Sequence, residues 1–278
     1  MNSLYLNLIK HNLDNDKNFL FEDDGSSITY KDFIAFASKV SHKLTNLGLN
    51  TGDIILVKSP KSKEALSVYL TSILTGTVYL PLNSSYTINE TIYFIKDARP
   101  SFFICEENDI NELKPICDEI NCKILSLNKD GSGKLTESIN AYSNYFEPIE
   151  RNLNDLAALL YTSGTTGKPK GAMLSQENLV SNSKALSDLW EISNKDQLIH
   201  SLPIYHTHGL FVAINTSMIA GASIRFIKGF NLDLIIEAIP NSTLLMGVPT
   251  FYTRLLKDKR LTKSLTSLSL IHISEPTR

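Results

Sequence analysis

Residues 161–171 read Tyr-Thr-Ser-Gly-Thr-Thr-Gly-Lys-Pro-Lys-Gly and directly follow a short apolar run at residues 157–161. Glycines in such a stretch allow a close backbone approach, and successive freed N–H groups form a concavity that binds anions. The hydroxyl and lysine side chains add donors and positive charge. We therefore predict that this loop binds phosphate groups. The predicted contacts are Thr162, Ser163, Gly164, Thr165, Thr166, Gly167, Lys168 and Lys170.

Pro169 separates this loop from the Walker A loop of P-loop nucleotidases. A Walker A loop needs Gly-Lys-Ser/Thr that opens directly into a helix, whereas Lys168 is followed here by Pro169. A proline at this point does not allow a helix to begin. The alternative is an ordinary surface hairpin without a binding function. The loop is longer than such a hairpin, and nearly all of its residues are small, hydroxylated or cationic.

The rest of the chain alternates short β-branched runs with stretches of helical period, which predicts an α/β fold. Predicted strands cover residues 19–22, 54–57, 78–80, 102–105, 123–127, 157–161, 198–202, 223–227 and 243–246. Predicted helices cover residues 30–47, 61–74, 89–97, 110–119, 176–190, 209–219, 232–238 and 250–257. The helix at residues 30–47 has one apolar stripe, formed by Phe33, Ala37, Val40, Leu44 and Leu47.

Composition limits the classes of function. The 278 residues are 42% hydrophobic and 20% charged with a formal net charge of -2, so we expect a globular protein with no nucleic-acid partner. We expect no membrane span and no secretory signal, and the sequence leaves the oligomeric state open. The chain has three cysteines, which we interpret as unpaired structural thiols: Cys105, Cys117 and Cys122. Unpaired thiols predict that the protein resides in the reducing cytoplasm.

The stretch LLYTSGTTGKPKG at residues 159–171 resembles the signature loop of the adenylate-forming superfamily, which includes acyl-CoA synthetases, peptide-synthetase adenylation domains and luciferases. The resemblance implies the N-terminal large domain of that fold, with two wound α/β sub-units. It also implies ATP, Mg²⁺ and coenzyme A as cofactor and co-substrates. The loop would hold the β- and γ-phosphates while a carboxylate attacks the α-phosphorus, and acyl-AMP would then pass its acyl group to coenzyme A.

A second segment, LPIYHTHGL at residues 202–210, carries two histidines before an apolar helix. By resemblance to acyl-CoA synthetases, His206 lines the carboxylate pocket and is the candidate catalytic residue, and His208 is a further candidate for substrate binding. Two alternatives stay open. The histidines can cap the following helix, or the His-x-His pair can bind a metal, although no nearby third ligand is evident and the metal ligands stay unknown.

A third segment, LMGVPTFYTRLL at residues 245–256, predicts a strand that ends at Gly247 and a helix that carries Arg254. An inward guanidinium can pair bidentately with a second carboxylate. Together with residues 79–100 and 202–213, this segment is similar to malonyl-CoA synthetases. Gly247 and Arg254 are therefore predicted to bind malonate or a close dicarboxylate such as methylmalonate. The alternative for Arg254 is a solvated helix face.

Family members are about twice as long, so the predicted domain at residues 1–267 is partial and is expected to be inactive alone. It lacks the adenine, ribose and lid elements that the resemblance implies. Residues 268–278 (LSLIHISEPTR) depart from the family and resemble a translated sequencing adapter, so we expect a non-native tail. The runner-up activities are a medium- or long-chain acyl-CoA synthetase and a peptide-synthetase adenylation domain. A catalytically silent nucleotide-binding module is the alternative from another class.

Overall fold

The computed structural model describes residues 2–162, 169–267 and 271–274. The chain divides into two compact units. The first unit comprises Met1–Leu6 and Ile34–Val180, and the second comprises Asn7–Phe33 and Ser181–Arg278. Each unit contains its own sheet, as the prediction of two wound α/β sub-units requires.

The strands and helices agree closely with the predicted order. The strands are β1 (Asn18–Glu22), β2 (Ser27–Thr29), β3 (Ile54–Lys58), β4 (Val78–Pro81), β5 (Phe102–Cys105), β6 (Lys123–Ser126), β7 (Leu156–Thr162), β8 (Lys170–Ser175), β9 (Gln197–His200), β10 (Ser223–Phe226), β11 (Leu244–Gly247) and β12 (Ile271–Ser274). The α-helices are α1 (Tyr30–Asn46), α2 (Lys63–Thr75), α3 (Ile88–Ala98), α4 (Glu107–Glu119), α5 (Gln176–Leu189), α6 (Asn215–Ala220), α7 (Leu232–Ala238) and α8 (Pro249–Leu255).

The sheet of the first unit has the order β6-β5-β3-β4-β7-β8. All neighbouring strands are parallel except β7 and β8, which pair antiparallel as a hairpin. Every residue of β4 and β5 is buried, as expected for parallel strands covered on both faces. Helix α2 connects β3 to β4, and its Ser62 side chain accepts a hydrogen bond from the N–H of Ala65 as an N-cap.

The sheet of the second unit has the order β12-β11-β9-β10-β1-β2. Only the β1–β2 pair is antiparallel. Its core includes Ile199, Ile235 and Leu245, which are all at most 3% exposed. β12 lies within the predicted tail and pairs in parallel with β11 through backbone groups. Since backbone pairing does not depend on which side chains are present, the non-native origin of residues 268–278 stays a prediction.

Two local expectations were wrong, and the strands β2, β8 and β12 were not predicted. Residues 208–220 form a π-helix (His208–Ile214) followed by α6, rather than one α-helix. Leu47, expected on the buried stripe of α1, is 37% exposed because α1 ends one residue earlier. The segment after Pro169 is the strand β8, which the sequence had not assigned to any element.

The three cysteines are buried and unpaired, as predicted. Among the described residues, no helix is both long enough and apolar enough to cross a membrane.

Candidate functional site

The predicted phosphate loop lies at the tip of the β7–β8 hairpin in the first unit. Thr162 ends β7 and pairs with Lys170 at the start of β8, and both residues are exposed. The absence of a helix after Pro169 agrees with the exclusion of a Walker A loop. The other predicted phosphate contacts lie outside the described residues: Ser163, Gly164, Thr165, Thr166, Gly167 and Lys168.

Gly171 lies on β8 beside the Leu159 side chain of the facing strand. A Cβ at position 171 would lie 2.9 Å from Cδ1 of Leu159, so a larger residue there would displace this side chain.

A cavity of about 350 Å³ opens beside the base of the loop, within the first unit. Aromatic side chains form most of its wall. Burial, together with a hydrogen bond to Asp97, raises the pKa of the Tyr161 hydroxyl well above its ordinary value. The lining residues are Tyr86, Glu90, Tyr93, Phe94, Tyr161, Thr162 and Pro169.

A second candidate site is a pocket of about 400 Å³ in the second unit. It combines both predicted histidines with the first turn of α8, as expected for the substrate segments at residues 202–210 and 245–256. We call it the histidine pocket. Its lining residues are Leu202, Pro203, His206, Thr207, His208, Gly209, Val248 and Phe251.

Gly209 sets the path of the backbone in the histidine pocket. A Cβ at this position would lie 2.0 Å from the carbonyl oxygen of Pro203, so only glycine allows the turn to pack against the π-helix. The carbonyl of Gly209 accepts a 2.7 Å hydrogen bond from Nε2 of the fully buried His200. The sequence did not predict this role of His200. Its only signal was a histidine at the end of an apolar strand.

The two predicted histidines differ in exposure. His208 is 5% exposed, whereas the side chain of His206 is solvent-exposed. The His206 ring also contacts the Tyr205 ring, at a centroid distance of 4.6 Å. Despite its exposed edge, the His206 ring has enough protein around it that desolvation lowers its pKa. His206 is therefore neutral at pH 7, and can donate one hydrogen bond and accept another.

Gly247 ends β11, and Pro249 begins α8, as predicted. A Cβ at position 247 would lie 3.0 Å from Cδ2 of Phe251, so glycine lets this ring pack against the end of the strand. Gly247 thus supports the wall of the histidine pocket, which Val248 and Phe251 line.

Arg254 lies outside the lining of the histidine pocket. Its side chain is exposed, and its guanidinium carbon lies 5.1 Å from the centroid of the Phe230 ring. The Phe230 ring in turn packs against the Phe251 ring at 4.5 Å. One aromatic side chain therefore separates Arg254 from a residue of the pocket wall.

The described residues include no group of three His, Cys, Asp or Glu side chains that could hold a metal ion. This applies to the His206 and His208 pair as well.

Comparison with known proteins identifies the family and the fold, and the roles of the site residues stay predictions. Residues 11–277 match the AMP-binding enzyme family. The chain belongs to this family. ATP-bound MatB from Rhodopseudomonas palustris has a TM-score of 0.95 and 44% identity, over 98% of this chain and 54% of that chain. The resemblance seen in the signature loop is therefore confirmed, and so is the α/β fold of the N-terminal domain.

Curated relatives of this AMP-binding chain include a malonate–CoA ligase from Arabidopsis thaliana, 29% identical over 84% of this chain and 40% of the relative. A mitochondrial malonate–CoA ligase from Xenopus laevis is 25% identical over 84% of this chain and 42% of the relative. The chain thus spans about two fifths of the length of these relatives. A structure described as a long-chain-fatty-acid CoA ligase, at 20% identity and a TM-score of 0.84, shares the fold.

Proposed function

We propose that this chain is part of an AMP-forming acid–thiol ligase that converts malonate, ATP and coenzyme A to malonyl-CoA. A malonate carboxylate attacks the α-phosphorus of ATP, and pyrophosphate leaves. The thiol of coenzyme A then attacks the acyl carbon of malonyl-AMP, and AMP leaves. The signature loop at the tip of the β7–β8 hairpin, in a chain 44% identical to an ATP-bound MatB, is the observation that carries this proposal.

The hairpin tip is suited to the first step. Attack of one anion on another depends more on charge neutralisation and alignment than on proton transfer. The backbone and hydroxyl groups of residues 162–167 would hold the leaving pyrophosphate, and Lys168 and Lys170 would offset its charge. A Mg²⁺ ion bound with ATP would supply further charge neutralisation. Its protein ligands stay unknown.

The histidine pocket is suited to the carboxylic acid. Neutral His206 can donate a hydrogen bond to a carboxylate oxygen, and this fixes the orientation of the attacking group without adding a charge that would trap it. His208 and the backbone near Gly247 would complete the binding surface for the acid. We keep His206 as the catalytic candidate because it is the histidine with an exposed edge.

Malonate is proposed as the substrate because malonate–CoA ligases and MatB are among the relatives and Arg254 is near the pocket. Arg254 would move off the Phe230 ring to meet the second carboxylate. The apolar lining from Leu202, Val248 and Phe251 would also suit a longer acyl chain, which keeps a fatty acyl-CoA synthetase as the second candidate.

The cellular setting follows the same reasoning. We propose a reducing compartment, namely the cytoplasm, because the three thiols are buried and unpaired. We also propose that these 278 residues alone do not complete turnover, since the relatives are more than twice as long.

ATP–pyrophosphate exchange with a panel of acids tests the proposal. The full-length enzyme is expected to exchange with malonate faster than with methylmalonate, acetate or octanoate, and this chain alone is expected to show none. Preference for octanoate would select the fatty acyl-CoA synthetase. If the full-length protein shows no exchange with any acid, the result selects the silent nucleotide-binding module.

A further inference from the structure

Helix α3 contacts both arms of the phosphate hairpin through two side chains that lie one turn apart. The Tyr93 hydroxyl donates a 3.0 Å hydrogen bond to the carbonyl oxygen of Pro169. The Tyr161 hydroxyl donates a 2.5 Å hydrogen bond to Oδ2 of Asp97. Tyr93 and Asp97 are four residues apart, so they project from the same face of α3. The two bonds reach the hairpin at Tyr161, two residues before residues 163–168, and at Pro169, directly after them.

These bonds lie at the edge of the sheet. β8 is the last strand in the order and pairs only with β7 among the described strands. The register of β7 with β4 pairs Ala158 with Tyr79, four residues before the end of β7. Helix α3 adds contacts to the end of β7 beyond that pair. The rings of Phe94 and Tyr161 supply one, at a centroid distance of 4.7 Å.

The Pro169 carbonyl is a suitable anchor point. Proline has no N–H group, so the carbonyl oxygen is the one backbone polar atom that Pro169 offers. Its hydrogen bond to Tyr93 fixes the direction in which the chain leaves the loop. On the other arm, the raised pKa of Tyr161 keeps its proton in place as a donor to Asp97 throughout the neutral range.

Helix α3 is itself firmly placed. Its N-terminus has a capping box, in which the Thr87 side chain accepts from the N–H of Glu90 and the Glu90 carboxylate accepts from the N–H of Thr87. Phe94 and Ile95 are at most 2% exposed and anchor the helix in the core of the first unit. The helix therefore offers a rigid support from which Tyr93 and Asp97 can restrain the hairpin.

We propose that Tyr93 and Asp97 are positioning residues for the phosphate loop. By holding both arms at Tyr161 and Pro169, they reduce the freedom that the arms lose on nucleotide binding, so they favour binding without contacting the nucleotide. The effect on ATP rests on the proposed function, whereas the restraint of the hairpin does not. Removing either anchor should weaken binding of ATP and leave binding of the acid unchanged.

The first arm of the test measures the hairpin in this chain, without ligand, by amide hydrogen exchange. Tyr93→Phe and Asp97→Ala are expected to speed exchange in β8 about fivefold, because each loses one hydrogen bond at the base of the loop. Asp97→Asn keeps an acceptor oxygen and should restore most of the protection. Tyr86→Phe is the matched control, since it removes a hydroxyl from the same cavity that makes no hydrogen bond with the described residues.

The second arm measures ATP–pyrophosphate exchange in the full-length enzyme. Tyr93→Phe and Asp97→Ala are expected to raise the KM for ATP about fivefold while the KM for the acid stays within about twofold. A general folding defect would instead lower kcat with both KM values unchanged.

Two outcomes would overturn the proposal. One is amide hydrogen exchange in β8 that is no faster in Tyr93→Phe and Asp97→Ala than in Tyr86→Phe. The other is faster amide exchange in those two variants with no change in the KM for ATP. If the full-length enzyme activates no acid, the proposed function is wrong, and the exchange arm still decides whether α3 restrains the hairpin.

Discussion

The guanidinium of Arg254 lies over the ring of Phe230, 5.1 Å from its centroid, and not inside the histidine pocket. A cation above an aromatic face gains about 0.5–1 kcal/mol at an exposed site. A bidentate bond to a carboxylate is worth more, about 1.5–3 kcal/mol. We therefore expect the second carboxylate of a dicarboxylate to draw Arg254 from the ring, whereas a fatty acid has no second carboxylate to do so.

Arg254→Ala tests this in the full-length enzyme. The loss of a charge-assisted pair predicts that kcat/KM for malonate falls about 10- to 100-fold. Arg254→Lys should recover little, because an ammonium cannot bind a carboxylate bidentately. Arg260→Ala is the control, since Arg260 pairs with Asp233 and Asp258 on the surface of the same unit. Undiminished kcat/KM for malonate would remove Arg254 from the substrate site.

His206 should titrate below the ordinary histidine value. Desolvation disfavours its charged form, so the folded chain binds the proton less readily than the unfolded chain. The contribution of His206 to stability is therefore fully present above its pKa in the unfolded chain, about 6.5. This contribution is lost as the pH falls through its lower pKa in the folded chain. NMR titration of the His206 ring should give a midpoint below that of the same chain in urea. An equal or higher midpoint would contradict the desolvated position.

The sequence predicted those elements whose signals are local. The parallel strands other than β12 were found because each is a short, largely apolar run, and the phosphate loop was found because its residues are consecutive. β8 was missed because its apolar residues are the three consecutive positions 172–174, which show neither strand alternation nor the length of the other strand signals. Tyr93 and Asp97 could not be linked to the loop in advance, since only the packing of α3 brings them to it.

Substrate contacts were harder to predict for the same reason. The spacing around His206 and Gly247 correctly indicated segments that meet at one pocket. The helical period of α8 could not show what surrounds the Arg254 side chain, because its neighbour, the Phe230 ring, comes from another segment of the chain.

Gly209→Ala should destabilise the second unit. The added Cβ would lie 2.0 Å from the Pro203 carbonyl oxygen, and a backbone atom cannot move aside as a flexible side chain can. Overpacking of this kind costs about 1–3 kcal/mol in the free energy of unfolding. Gly229→Ala is the matched control, because nothing lies within 4 Å of its added Cβ. Urea denaturation of both variants measures the difference, and equal midpoints would show that the turn at Pro203 can relax.

A buried ion pair in the first unit gives a separate test of stability. Nζ of Lys58 on β3 lies 2.7 Å from Oδ2 of Asp109 on α4, and the two side chains are 6% and 22% exposed. Asp109→Ala leaves the Lys58 ammonium buried without its counter-ion, which should cost about 3–5 kcal/mol in the free energy of unfolding.

The exposed pair of Lys114 and Asp118 on α4 is the matched control for that variant. It has a similar N–O distance of 2.8 Å, but its side chains are 56% and 60% exposed. Asp118→Ala should therefore cost only about 0.3–0.5 kcal/mol. Adding Lys58→Met to Asp109→Ala should recover much of the lost stability, because the buried charge is removed. If the double variant is no more stable than Asp109→Ala, the cost comes from lost packing at α4 and not from the unpaired ammonium.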